Sequence, residues 1–254
     1  MTYRYYDPFK IPDSSGAVQI IDEDPLCAMV IFAHPDDAEI GAGATLAKWA
    51  QNGSKIIYVQ STSGSSGSND RSMTSEKITS IRRSEQKAAA EIIGASHIEI
   101  LDHDDGDLRT SREYLEQIVK LIRKHRPEIV LAHDPYRYNG FNHSDHRAVG
   151  LVSIDAIYPY ARDHLHFPHH IREGLEPWKV KNLMFWGSDK PNVIVDITKS
   201  LPLKINALLK HESQISGLTS STNVETRLRT RAAKIASGFN FMYGEAFRKL
   251  TART

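Results

Sequence analysis

The segment Ala33-His34-Pro35-Asp36-Asp37-Ala38-Glu39 places one imidazole and two adjacent carboxylates in a single turn. Imidazole and carboxylate together suit a borderline divalent cation such as zinc, and a further carboxylate beside them can handle a proton. So local a cluster cannot complete a metal site, because a catalytic zinc usually takes three protein ligands and keeps one position open. A second set of capable residues stands far along the chain, in His143-Ser144-Asp145-His146. His34, Asp37 and His146 together supply two imidazoles and a carboxylate. Asp36 is then free to accept the proton of a water, and His143 to stabilise an oxyanion or protonate a leaving amine. Asp145 can orient that imidazole. The set suits metal-assisted amide hydrolysis. Two histidines and one carboxylate also form the facial triad of non-heme iron oxygenases, so an oxidative reading stands beside it.

Placing these residues requires the elements around them. The first cluster follows the apolar run Cys27 to Ala33 and precedes a helical pattern over 38–52 that Asn52-Gly53 stops. Strands are predicted at 27–33, 55–60, 97–101 and 128–132, with two more at 182–186 and 193–197. Helices are predicted at 38–52, 75–93 and 111–125, then around 200–212 and 222–237. This alternation predicts an α/β fold, a Rossmann-like, mostly parallel sheet with helices on both faces. Such sheets bind ligands outside the carboxyl ends of strands where strand order reverses, here between the first and fourth predicted strands. His34 to Asp37 follow the first of these and His143 to His146 follow the fourth, so the two motifs are expected to converge.

The Gly/Ser tract 61–70 reads as a flexible loop. Residues 158–180, rich in Pro, His and aromatics, read as a long ordered loop that lines the pocket or meets a neighbouring subunit. No repeat or linker divides the chain, which predicts one domain over 1–254 with residues 1–26 as an N-terminal arm. Gly41-Ala-Gly43 lies inside a helical pattern and does not read as a dinucleotide fingerprint. His211 reads as a structural histidine, and Arg227 to Arg231 as a solvated helix face.

Composition removes several classes. Lys+Arg 32 against Asp+Glu 31 leaves no field to attract nucleic acid or an anionic membrane. The single cysteine, Cys27, excludes a disulfide within the chain and a thiolate zinc site. No apolar run approaches a membrane span and the first ten residues contain no apolar core, which predicts a soluble, cytoplasmic protein.

The two motifs together resemble the PIG-L/LmbE-like zinc N-deacetylases, which remove acetyl groups from N-acetylglucosamine units. The resemblance extends to Arg82-Arg-Ser-Glu85, Asp105-Gly106, Val195-Asp196-Ile-Thr, His211-Glu-Ser-Gln214 and Tyr243-Gly-Glu-Ala-Phe247, and covers about residues 27–250. It implies a zinc ion on His34, Asp37 and His146, with iron(II) or another divalent cation as the alternative. It also implies Asp36 as general base, His143 as electrophilic or acid partner, and Arg82 and Asp105 as contacts to sugar hydroxyls. A small amino-sugar substrate and a homo-oligomer are implied as well. Phe141 departs from relatives with a tyrosine two residues before the first histidine, which argues against a hydroxyl-assisted step and their thiol-precursor substrate. An amidase of the same architecture that cleaves a larger acyl group is the nearest rival.

Overall fold

The run Cys27–Phe32 is buried throughout, and its alternate side chains feed two different cores. Ala28, Val30 and Phe32 pack into one, and Cys27, Met29 and Ile31 into the other. A strand apolar on both faces needs cover on both sides, as in the interior of a parallel sheet. The computed structural model describes residues 18–215 and 221–252, with the side chains of the last helix from Val224 onward. Its strands are β1 (Gln19–Ile21), β2 (Cys27–Phe32), β3 (Lys55–Thr62), β4 (His97–His103), β5 (Ile129–His133), β6 (Asn182–Trp186), β7 (Val193–Asp196) and β8 (Gly244–Thr251). They form one eight-stranded sheet in the order β1-β7-β8-β6-β5-β2-β3-β4. Only β8 runs antiparallel to its neighbours, β6 and β7. The order reverses between β2 and β5, which pair in parallel and are the first and fourth strands read from the sequence.

The helices are α1 (Asp37–Gln51), α2 (Ser75–Ile93), α3 (Arg112–His125), α4 (Ser144–Ile157), α5 (His169–Arg172), α6 (Leu201–Leu208), α7 (Glu212–Ile215) and α8 (Ser221–Ile235). Side chains of α1, α2, α6 and α8 fill the first core, and those of α3 and α4 the second. Thr74 and Ser111 cap α2 and α3 by accepting backbone N–H bonds from Lys77 and Tyr114, and Gly94 ends α2 at φ 86°. No helix among the described residues is long and apolar enough to cross a membrane.

Several elements go beyond the sequence reading. Helix α4 begins inside the second motif, so its polar first turn hides its apolar face. Gly150 lets α4 approach β5 closely, since a Cβ there would lie 2.5 Å from the His133 carbonyl oxygen. Part of the expected N-terminal arm is strand β1, paired with β7, while residues 1–17 lie outside the described residues. The 158–180 stretch contains α5 and a short 3-10 turn, and it folds onto α3. There Arg123, only 2% exposed, donates to the carbonyls of Tyr160, Ala161, Asp163 and His166. Its contact with His170 Nδ1 (3.2 Å) makes that nitrogen an acceptor. The proton of neutral His170 therefore sits on Nε2, which faces Glu116 at 3.6 Å as a donor and not as a metal ligand.

Candidate active site

Between β2 and α1 the chain turns through Asp36, which holds φ at 99°, a left-handed conformation uncommon outside glycine. Two side chains of α2, one turn apart, grip the peptide that enters this residue. Arg82 Nη2 donates to the Pro35 carbonyl (2.9 Å), and the Asp36 N–H donates to Gln86 Oε1 (3.0 Å). Gln86 Nε2 in turn donates to Glu39 Oε1 (3.0 Å), whose other oxygen lies 3.4 Å from buried His211 Nε2. The strained turn is thus fixed from behind. The Asp36 carboxylate has no hydrogen-bond partner among the described residues and lines a cavity of about 600 Å³.

His34, Asp37 and His146 converge although more than a hundred residues separate the two motifs. His34 Nδ1 lies 3.3 Å from an Asp37 oxygen, His146 Nε2 lies 3.3 Å from the other, and the two ring nitrogens are 3.3 Å apart. Ligands at roughly 2.0–2.1 Å from a tetrahedral zinc are separated by about 3.3 Å, so each of these spacings suits such a site, with one Asp37 oxygen facing each imidazole. The donor set suits the cation as well as the spacing does. A second group, His34, Asp105 and His143, also brings its polar atoms within 4.8 Å. It would use His34 Nε2, and that nitrogen faces the carboxylates of Asp145 (3.0 Å) and Asp105 (3.2 Å). Those carboxylates hold a proton on Nε2 and leave Nδ1 to face Asp37 and His146.

The electrostatics follow from this packing. Burial, followed by the adjacent charge of Asp37, pushes Asp36 up to about 7, against the pull of His211 and Arg82. For Asp37 burial works upward too, but the charge and hydrogen bonds of His133, His146 and His34 outweigh it and hold it well below the usual carboxylate range. Burial pushes His34 down, yet hydrogen bonds to Asp105, Asp145 and Asp37 prevail and raise it to about 11. His143 is lowered, first by burial and then by the charge of His34. Its Nδ1 accepts the Asp145 N–H (3.2 Å), so its Nε2 carries the proton when the ring is neutral.

Three expectations change. The Asp145 carboxylate does not orient His143, whose Nδ1 lies 3.9 Å from the nearer carboxylate oxygen and is met instead by the Asp145 backbone N–H. Its other oxygen accepts from His34 Nε2 and from the Gly106 N–H (2.8 Å), so it supports a candidate ligand instead. Arg82 is only 4% exposed, its Nη1 and Nη2 are engaged by Pro35, Ser66 and Asp105, and its Nε is buried without a partner, so the guanidinium faces inward. Asp105 spends one oxygen on His34 and the other on Arg82 and the Ser66 N–H, so it too faces inward.

Sequence reading also missed two residues. His133, the last residue of β5, stacks on His146 with ring centroids 3.8 Å apart and sets Nε2 3.4 Å from Asp37. Burial lowers it to about 4 despite Asp37, so it sits neutral behind the ligands. Its place at the carboxyl end of a switch-point strand, like that of His34, was the available signal. Gln86, one turn beyond Arg82, gave no comparable signal. Gly41 proves to be a packing glycine, since a Cβ there would meet the Trp186 ring at 2.5 Å.

Comparison with known proteins agrees with this geometry. A family model described as PIG-L, GlcNAc-PI de-N-acetylase, matches residues 29–157. The chain is 37% identical over 191 residues to diacetylchitobiose deacetylase of Thermococcus kodakarensis, spanning 73% of this chain and 69% of that protein. It is 35% identical over 120 residues to 4-oxalmesaconate hydratase of Pseudomonas putida, spanning 44% of this chain and 46% of the hydratase. Among solved structures, N,N'-diacetylchitobiose deacetylase from Pyrococcus horikoshii superposes with a TM-score of 0.82 at 32% identity, covering 90% of this chain and 85% of that one. The chain belongs to the PIG-L family.

Proposed function

We propose that this protein is a metal-dependent N-deacetylase that hydrolyses the acetamide of an N-acetylglucosamine-type substrate, with zinc as its cation. The observation that carries this reading is the convergence of His34, Asp37 and His146 at 3.3 Å spacings beside a partnerless Asp36. The deacetylase relatives support the substrate class, and they match a larger share of the chain than the hydratase does (73% against 44%).

A divalent cation on the three ligands would supply Lewis acidity towards the amide carbonyl and the attacking water. The chain's own residues do the rest. Asp36, poised at about 7, takes a proton from the water as its oxygen adds to the carbonyl carbon. His143 presents Nε2–H to the developing oxyanion, because its Nδ1 already accepts from the Asp145 N–H. The proton held by Asp36 passes to the amine nitrogen as the carbon–nitrogen bond breaks, giving acetate and a free amino sugar. Asp145 and Asp105 keep His34 in the ligating tautomer.

On this reading the chain works as one domain and a cytoplasmic homo-oligomer on a small amino sugar. The iron reading lacks support, since oxygen activation is not needed for an amide and the relatives are hydrolases or a hydratase. The zinc-loaded protein should release acetate from N-acetylglucosaminyl compounds. Release of a larger acid but no acetate would favour the amidase reading, and release of neither would overturn the proposal.

A further inference from the structure

The cavity that Asp36 lines does not end at the candidate ligands. A smaller cavity of about 180 Å³ is bounded by Asp37, His133 and His146, and the larger one opens beside Asp36. Ile40, Leu228 and Arg231 line both, so the two form one cleft that runs from the ligands along α8. Its far part is walled by Leu208, Ile215 and Val224 and edged by Arg227, Arg231 and Lys234. These three cations are spaced four and three residues apart, on one face of α8, and all are exposed. Among the described residues none of their side chains forms an ion pair or hydrogen bond. Of the other cations that line the cleft, Lys204 is engaged by Glu245, and Arg137 lies at the end near the ligands.

The end near the ligands is the more acidic one, lined by Asp36, Asp37, Asp134 and Glu245. A substrate bearing a negative charge is therefore turned with that charge away from the carboxylates and towards α8. The apolar walls between the two ends suit an uncharged stem. We propose that the cleft selects an N-acetyl amino sugar whose aglycone is an apolar stem ending in an anionic group, held by Arg227, Arg231 and Lys234. The inference rests on the deacetylase reading and extends it to the part of the substrate remote from the amide.

Two glycosides of N-acetylglucosamine isolate the charge: the hexyl glycoside and the 5-carboxypentyl glycoside, equal in stem length. Acetate release by the full, zinc-loaded chain gives kcat/KM for each. Exposed ion pairs are individually weak, so three together should favour the carboxylate by on the order of tenfold at low salt. That preference should shrink as salt rises from roughly 0.05 M to 0.5 M. The double variant Arg227→Ser/Lys234→Ser, which spares the Arg231 that also lines the cavity at the ligands, should lose most of the preference and keep the hexyl rate within about twofold. Acetate from both glycosides at equal rates, or an equal fall for both in the variant, overturns the inference alone. No acetate from these or any other N-acetylglucosaminide overturns the deacetylase reading and the inference with it.

Discussion

Asp145→Asn separates two roles for a residue that sits beside both histidines of interest. The Asp145 oxygen that serves His34 Nε2 (3.0 Å) also accepts the Gly106 N–H (2.8 Å). An asparagine must therefore place its carbonyl oxygen there and its amide at the position now facing Ser144 Oγ (3.2 Å), a hydroxyl that can turn to accept. Geometry is kept and charge is lost. A hydrogen bond to a charged group contributes about 1.5–3 kcal/mol and a neutral one about 0.5–1.5, so the change removes on the order of 1–2 kcal/mol from the support of His34. That corresponds to zinc affinity weakened about 5- to 30-fold, which overlaps the roughly 10- to 100-fold usual for carboxylates behind a ligating histidine. Competition with a chromophoric chelator measures it directly. If Asp145 instead oriented His143, zinc affinity would stay at the wild-type value and only turnover would fall. That result would refute the assignment.

Zinc binding should release protons, because His34, raised to about 11 by its carboxylate partners, is protonated at neutral pH and must give up its Nδ1 proton to ligate. Affinity should then climb about tenfold per pH unit below that value, and calorimetry in buffers of different ionisation heat should count about one proton released per ion. Gln86→Leu removes the acceptor of the Asp36 N–H (3.0 Å) without touching a candidate ligand. It should lower kcat while leaving zinc stoichiometry intact, and it should destabilise the fold by about 1–3 kcal/mol in urea titrations. Gly150→Ala forces a methyl to 2.5 Å from the His133 carbonyl oxygen, so thermal unfolding should show a loss of about 1–3 kcal/mol. The acid limb of kcat/KM should lie at or below about 7, with activity lost as falling pH protonates the raised Asp36, since a bound cation can only lower it from there.

The convergence of His34, Asp37 and His146 is legible in the sequence because strand patterning is strong where a strand is buried on both faces. Cys27–Phe32 and Ile129–His133 are buried at every residue, and the strand order between them sets where His34 and His146 meet. The direction of a side chain leaving a loop carries no such periodicity. Asp145 and Asp105 therefore turned out to face His34, and Arg82 the interior, although their types and positions were read correctly. Strand β8 carries no clear alternation because Gly244–Thr251 mixes Glu, Arg and Lys into a short run, and two of these charges meet partners far away in sequence. Glu245 meets Lys204 and Thr45, and Arg248 meets Asp134. The Arg82–Gln86 grip on the Pro35–Asp36 peptide has the same character, since its partners lie 47 and 50 residues apart.

The central claim is that His34, Asp37 and His146 hold the cation while Asp36 moves the proton. Asp36→Asn tests it most directly when zinc content and acetate release are measured on the same preparation. One zinc ion per chain should remain bound as in the wild type, with kcat lowered on the order of 10²- to 10⁴-fold. Turnover near the wild-type value with zinc in place, or loss of the metal itself, would contradict it.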